Sequence, residues 1–425
     1  MESTVSFPKS FEQVLTLFGN SVLGVSENKH WDGVDWVEIR KEAKRQSVWN
    51  MLTAVYKDEL GCPDDIRAEL KQSIRSVVVT YYQKLSINLD LLSRMQKKGL
   101  HPLVLKGIAV ARYYDMPEVR FSADMDVLLP YDELNAAISV LVDLGYSGEP
   151  FNKGMYHVAY THPKFGMIEL HVDLYSDFME DVWFEGIGKN DIILEEPECI
   201  ELDGTKYQTL GATDHMVFLA VHMAKHFICG GLSMRSMMDL ALYAKNNCAK
   251  INCDRFWDLM KKARLHSLIA TVFKIAERYW GFCDEELLGY ETCDETQVSL
   301  LLNDLYFGGA EGHFQQKERR NGWYLLHKEK LTRGNSKSCY TLRLFWKNVK
   351  HWAKLVFPSK IHLSSKYPVL KKYGLLFPFV WLYWLVVRGM SRVFRWKQDG
   401  FYVEEADASK EAKQRLEMFK KMNMV

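Results

Sequence analysis

The sequence predicts an α+β protein in which one small sheet with its helices is flanked by helical regions on both sides. Two observations lead to this fold class. Stretches before residue 95 and after about residue 205 repeat apolar residues at helical spacing, whereas residues 96–175 alternate short apolar runs with helix-like segments. The 425 residues, 48% of them hydrophobic, are enough for several domains with ordinary cores.

Four regions are expected from these changes in texture. They are an N-terminal helical region (1–95), an α/β core (96–175), a helical domain that closes a cleft over the core (176–300), and a basic, aromatic-rich helical region (301–425).

The N-terminal region contains a long uninterrupted helical pattern. From Asp64 to Lys98 there is no Gly or Pro, and Gly99 then ends the run. The start of the chain has an acid at Glu2 and no apolar stretch typical of a signal peptide, and the eight cysteines are scattered without a CxxC pair. These features predict a cytoplasmic protein.

The core is predicted to run strand, helix, strand, helix, strand, strand. "HPLVLKG" is a short strand stopped by Gly107, and "MDVLLP" is a strand ended by Pro130. "YDELNAAISVLVDLG" follows as a helix that ends at Gly145, and "MYHVAYTHPKFGMIELHVDLY" gives two strands around a Pro/Gly turn.

Two carboxylates one residue apart begin the second strand. Asp124 and Asp126 share one strand face because side chains alternate, and they lie roughly 7 Å apart. Two anions this close repel each other unless a cation sits between them, and a divalent ion is the simplest candidate. A solvated strand start beside a helix cap is the alternative.

A third carboxylate lies on the later strand "MIELHVDLY". Glu169, His171 and Asp173 alternate there with apolar residues, so they share one face. If this strand lies beside the first, Glu169 joins the two aspartates, and three carboxylates can hold two divalent ions about 3.5–4 Å apart for phosphoryl transfer. His171 and Asp173 are the fallback ligands if the register is shifted by two residues.

The segments "LKG", "RFSADMDVLL" and "IELH" together resemble the nucleotidyltransferase superfamily with the polymerase-β-like fold, most closely its bacterial nucleotidyltransferase family proteins. The resemblance implies transfer of a nucleoside monophosphate from an NTP to an acceptor, with Mg²⁺ or Mn²⁺ as cofactor and pyrophosphate released. It makes Asp124, Asp126 and Glu169 the catalytic metal ligands.

The same resemblance assigns nucleotide contacts to four residues near the first aspartate, namely Lys106, Gly107, Arg120 and Ser122. For Lys106 and Arg120 the alternative is simple charge compensation of the carboxylates. Ile108 follows the glycine where the superfamily usually has Gly or Ser, which favours a second hypothesis: a non-catalytic member that binds a nucleotide or a partner.

Two later helices carry further ionisable residues at helical spacing. His222 and His226 are four residues apart, as are Arg235 and Asp239. They are expected to form a polar network that orients a ligand at the cleft, with Arg235–Asp239 as a helical ion pair. The alternatives are a zinc site or a phosphohydrolase centre formed by His222, His226 and Asp239.

The C-terminal region has an uneven charge. No Asp or Glu occurs between Lys330 and Lys397, and the apolar run from Leu375 to Val387 is flanked by Lys and Arg. At about 13 residues it is shorter than the roughly 18–20 needed to span a bilayer. It is either a buried helix or an interfacial helix, in which case residues 371–397 contact the inner membrane face.

The expected partners follow from these features. They are an NTP and an unidentified acceptor, either a small molecule or a protein hydroxyl. Nucleic acid is not expected, because the net charge is only +1 and no RNA-binding motif is present.

Overall fold

The structure is a computed structural model of the chain. It describes residues 7–25, 31, 34–57, 61–120, 122, 124–152, 155–175, 183–184, 187, 192–291, 293–309, 377–383 and 414–425.

Helices form the N-terminal part. They are α1 (Lys9–Leu23), α2 (Trp36–Arg45), α3 (Thr53–Lys57) and α4 (Asp64–Lys97), with a short 3₁₀ turn at Trp49–Met51. The long helix predicted from the sequence is therefore confirmed as α4. It begins after Pro63 with acidic residues in its first turn, and Gly99 beyond its end has a φ of +76° that L side chains avoid.

One mixed sheet of seven strands lies at the centre, in the order β3-β4-β5-β2-β1-β7-β6. The strands are β1 (Leu103–Val104), β2 (Asp124–Leu128), β3 (Ser147–Gly148), β4 (His157–His162), β5 (Gly166–His171), β6 (Glu198–Leu202) and β7 (Thr205–Thr209). β2 runs parallel to β5 and antiparallel to β1. The α+β class predicted from the sequence is confirmed.

The last two strands differ from the expectation of a purely helical domain over 176–300. β6 and β7 form a hairpin, and β7 pairs in parallel with β1 of the core. The hairpin turn is Asp203-Gly204, with φ of +48° and +73°. An Asp-Gly turn is a strong hairpin signal, and it outweighs the weak helical spacing of the flanking residues.

The two faces of the sheet have opposite character. On one face, apolar side chains such as Met125, Val127 and Ile168 pack in a core with α4 and with α6 (Leu134–Asp143). On the other face lie Asp126 and His171, which are also buried. The polar face is the one that positions the candidate site.

Helices cover that polar face and extend beyond it. Besides the single turn α5 (Ile108–Ala111), they are α7 (Ala212–Cys229), α8 (Met234–Asn247), α9 (Cys253–Lys262), α10 (His266–Trp280) and α11 (Glu295–Gly308), with 3₁₀ turns at Pro117–Val119, Tyr131–Glu133 and Glu285–Leu287. His215 of α7 donates a hydrogen bond from Nε2 to the carbonyl oxygen of Leu105 at 2.6 Å, which fixes this helix against the end of β1.

The chain divides into two compact units, and the first contains both termini: Met1–Gln315 together with Met418–Val425. Phe419 is fully buried there, with its ring 5.6 Å from that of Trp183 and 5.3 Å from that of Phe227. The C-terminal residues are thus part of the first unit.

The second unit is Gln316–Glu417. Within the apolar run for which a buried helix and an interfacial helix were both expected, residues 377–383 are helical and expose Phe379, Leu382 and Tyr383. The rest of segment 371–397, including its basic flanks, lies outside the described residues. In the part of the chain that the structure describes, no helix combines the length and the apolar character needed to cross a bilayer.

Candidate metal and nucleotide site

The register of two parallel strands brings the predicted acids together. Asp126 of β2 is directly opposite Glu169 of β5, and Asp124 is opposite Met167. Since side chains alternate, Asp124, Asp126, Glu169 and His171 all project from the polar face. Glu169 therefore points towards the aspartates, as the metal-site hypothesis requires.

Asp126, Glu169 and His171 form a close group. One ligand atom from each lies within 4.8 Å of the others, and this is the only such group of three or more among the described His, Cys, Asp and Glu residues. The His171 Nε2 atom is 3.0 Å from Asp126 Oδ1 and 3.3 Å from Glu169 Oε2. His171, expected only as a fallback, thus accompanies Glu169 instead of replacing it.

Asp124 is not a member of this group but lies beside it. Its Oδ1 atom accepts a hydrogen bond from Ser122 Oγ at 3.2 Å. The Lys106 ammonium nitrogen is 3.3 Å from Asp124 Oδ2 and 3.0 Å from Asp126 Oδ2. Asp173, the other fallback, accepts from the backbone N–H of Leu174 and is also outside the group.

Lys106 therefore lies between Asp124 and Asp126, and His171 lies between Asp126 and Glu169. Burial opposes the ionised form of Asp126, but the hydrogen bond from His171 and the Lys106 charge outweigh it and lower its pKa. Burial also opposes the ionised form of Glu169, but the hydrogen bond from His171 and the attraction of His157 outweigh it and lower the pKa of Glu169 to about 2. Conversely, the carboxylates raise the pKa of Lys106 and of His171 despite the burial of both side chains.

Gly107 forms the turn between β1 and α5. Its φ of +69° and ψ of −115° lie in a region that only glycine adopts readily. A Cβ atom at Gly107 would meet nothing closer than the Asp124 carbonyl oxygen at 4.0 Å, so the glycine is required by conformation and not by crowding. Ile108, which follows it, is 7% exposed and belongs to the apolar core on the opposite face.

A pocket lies next to Asp124, at the beginning of β2. Three of the residues predicted to contact nucleotide, Gly107, Arg120 and Ser122, contribute to its wall. Its cavity volume is about 40 Å³, and it opens partly to solvent. Lys84 of α4 also lines the pocket and donates to the Ser122 carbonyl oxygen at 3.0 Å.

The Arg120 side chain is locked by a buried network. Its Nε and Nη2 atoms donate to Asp239 Oδ1 and Oδ2 at 3.0 and 2.5 Å, and the Tyr114 hydroxyl donates to Oδ1 at 2.6 Å. Burial opposes the ionised Asp239, but Arg120 and Tyr114 lower its pKa. The Arg120 Nη1 atom, also buried, has no hydrogen-bond partner among the described residues.

The helix residues predicted to form a polar network are only partly brought together. Asp239 forms its ion pair with Arg120 of another segment, and the charge of Arg235 also lowers the pKa of Asp239. His222 Nε2 lies 3.3 Å from His226 Nε2 and 3.4 Å from Lys106 Nζ. This histidine pair therefore borders the carboxylate site through Lys106.

The described residues give no support to the phosphohydrolase alternative. Asp239 is engaged by Arg120 and Tyr114, and His222 and His226 form no group of three ligands with any described His, Cys, Asp or Glu. Burial and the Lys106 charge hold the pKa of His222 well below its usual value, so this imidazole is neutral.

Three residues near the group were missed from the sequence. The His157 ring of β4 stacks on His171 with centroids 5.1 Å apart, and its Nε2 is 3.9 Å from Glu169 Oε2. Lys225 of α7 donates to the Tyr156 hydroxyl at 3.2 Å. The alternation in "HVAYTH" indicates a strand, but only the β4–β5 register, His157 opposite His171, shows which residues are neighbours.

Residues 32–281, more than half of the chain, match a protein-family model described as "Uncharacterised nucleotidyltransferase". The chain belongs to this family. Every predicted site residue lies inside the matched range, and the mixed sheet with its helices is consistent with the nucleotidyltransferase fold expected from the resemblance. No curated protein sequence gives a significant match.

Proposed function

We propose that the protein is a metal-dependent nucleotidyltransferase that moves a nucleoside monophosphate from an NTP to an acceptor hydroxyl. The observation that carries the proposal is the pairing of Asp126 with Glu169 on adjacent parallel strands, in a chain of the nucleotidyltransferase family. The acceptor oxygen forms a bond to the α-phosphorus, the bond between the α-phosphorus and the bridging oxygen breaks, pyrophosphate leaves, and the hydroxyl proton is released to water.

The donor set fits a divalent ion. Two carboxylates and one imidazole with ligand atoms within 4.8 Å suit Mg²⁺ through the oxygens, and Mn²⁺ also through the nitrogen once His171 has lost its proton. Asp126 and Glu169 would hold the ion, and Asp124 would join them once Lys106 turns away. When bound, such an ion supplies charge stabilisation at the reacting phosphate.

The residues around the neighbouring pocket suit the polyphosphate. Arg120 is fixed by Asp239 and directs a buried N–H group without a partner among the described residues, and Lys84 adds a second cation on the pocket wall. Cations in such positions stabilise the charge that builds on a departing pyrophosphate. We therefore place the nucleotide polyphosphate on the Asp124 side of the carboxylates.

The direct test is incubation of the protein with Mg²⁺, labelled NTPs and a panel of acceptors, reading where the label goes. We expect Asp126→Asn to reduce transfer on the order of 10²–10³-fold, the effect typical of removing one group that stabilises transition-state charge. Asp132→Asn changes an exposed carboxylate and is the matched control. Transfer by Asp126→Asn at the wild-type rate contradicts the proposal.

The non-catalytic alternative gives a different result. Calorimetry would then show NTP binding in the presence of Mg²⁺ that Asp124→Asn/Asp126→Asn weakens, with no transfer to any acceptor. Ile108, the feature that favours this alternative, packs in the core and also lines the pocket beside Asp124, so the transfer assay is what separates the two functions.

A further inference from the structure

The acceptor side of the site follows from in-line geometry, and this step rests on the proposed function. In phosphoryl transfer the attacking and leaving oxygens lie on opposite sides of the phosphorus. Along β2 and β5 the order is Asp124 with its pocket, then Asp126 and Glu169, then His171. If pyrophosphate leaves on the Asp124 side, the acceptor approaches from the His171 side.

The His171 side is lined by hydrogen-bond donors and a cation. The Tyr156 ring lies 5.8 Å from the His171 ring and 4.2 Å from the His157 ring. Lys225 reaches the same place from α7, with its ammonium nitrogen 3.2 Å from the Tyr156 hydroxyl oxygen and 5.5 Å from the ring centroid.

Lys225 differs from the other lysine of the site. Lys106 is neutralised by two aspartates, whereas no described carboxylate lies within 4.0 Å of Lys225. It is partly buried, and its ammonium has three donors, of which Tyr156 takes one. His157 adds a buried Nδ1 atom without a hydrogen-bond partner among the described residues. A partly buried cation near a buried imidazole nitrogen without a partner among the described residues favours the binding of an anion.

We propose that the acceptor is a hydroxyl compound that also carries a phosphate group, and that Lys225 and Tyr156 bind this phosphate. Lysine is a common phosphate ligand, which it binds as a point charge. The phosphate anchors the acceptor beside Glu169, so its hydroxyl is the group that faces the α-phosphorus. A neutral polyol lacks this anchor and is a poor acceptor.

The test uses acceptor pairs that differ only in the phosphate: glycerol 3-phosphate against glycerol, and ribose 5-phosphate against ribose. We expect transfer to the phosphorylated member of at least one pair and little to its neutral partner.

Lys225→Gln should raise the KM for that acceptor about ten- to a hundredfold, the usual range for a lost charge-assisted hydrogen bond, and leave the KM for NTP unchanged. Lys225→Arg should restore most of the affinity, and Lys261→Gln, at an exposed lysine, is the control.

Failure of this inference can be told apart from failure of the proposed function. Equal transfer to neutral and phosphorylated acceptors, or an acceptor KM that Lys225→Gln does not change, overturns the inference while the transferase activity stands. If no transfer occurs, calorimetry with glycerol 3-phosphate decides: binding that Lys225→Gln abolishes and Lys261→Gln retains supports the anion site, and equal or absent binding overturns it.

Discussion

Asp126 is a fully buried carboxylate with a cation on each side, Lys106 and His171. A buried charge is costly unless it is paired and hydrogen-bonded, and both conditions are met here by side chains of the chain itself. The repulsion expected between the carboxylates from the sequence is therefore already relieved. An incoming divalent ion has to compete with these two internal cations for the same oxygens.

His215 gives a prediction about pH at the same scale. Burial lowers its pKa to about 4, although the hydrogen bond to the Leu105 carbonyl raises it slightly. The unfolded chain, with a histidine pKa near 6.5, binds more protons than the folded chain between these values, so stability is lost as the pH falls from about 6.5 to 4. The expected loss is about 3 kcal/mol.

Urea denaturation at several pH values between 7 and 4.5 measures the slope of the free energy of unfolding against pH. His215→Gln should make it shallower, because this side chain no longer titrates, whereas His222 and His226, whose pKa values are also lowered, still contribute. A wild-type slope that survives in His215→Gln shows that other groups cause the acid sensitivity.

At the scale of elements, the turn at Gly107 sets the direction in which α5 leaves β1. Replacing Gly107 by Ala keeps enough space but forces an L residue into a mirror-image conformation, which costs on the order of 1–3 kcal/mol. We expect Gly107→Ala to lower both the melting temperature and NTP affinity.

The matched control is Gly204→Ala in the hairpin turn, where φ is +73° and nothing lies within 4 Å of an added Cβ. It should lower the melting temperature similarly but leave NTP binding, measured by calorimetry, unchanged. A Gly107→Ala protein that binds NTP like the wild type would show that this turn does not form part of the nucleotide site.

Local signals explain which elements the sequence could predict. The absence of Gly and Pro until Gly99 identified α4, and the alternation of polar and apolar residues identified β2 and β5. The hairpin at Asp203-Gly204 was missed although its turn signal is local. The helical spacing of the residues after 211 is the stronger pattern, and it hides the two short strands that precede it.

At the scale of the whole molecule, pairings between distant segments could not be predicted. The Arg120–Asp239 pair joins residues 119 positions apart, and alternation alone gives no strand register, so His157 could not be placed beside His171. The family resemblance added the chemistry of Asp124, Asp126 and Glu169. It could not show that Lys106 and His171 lie between the carboxylates.

The return of the C-terminal residues to the first unit gives a prediction for the whole molecule. Phe419 is fully buried between aromatic rings, and Gln297 Nε2 donates to the Lys421 carbonyl oxygen at 3.0 Å. Phe419→Ala should destabilise the first unit by about 3–5 kcal/mol through the lost burial and the cavity left behind. Chemical denaturation measures this, with Phe307→Ala, at a 68% exposed ring, as the control. Equal stability of Phe419→Ala and the wild type would exclude a structural role for this segment.

The chain enters Gln316–Glu417 from the first unit and returns to the first unit after it. Residues 418–425 are held by their contacts in the first unit, so a cut in the chain within Gln316–Glu417 should leave them in place. A chain cut once at a protease site engineered between 316 and 376 should run as two bands under denaturing conditions, yet elute as one species from a gel-filtration column.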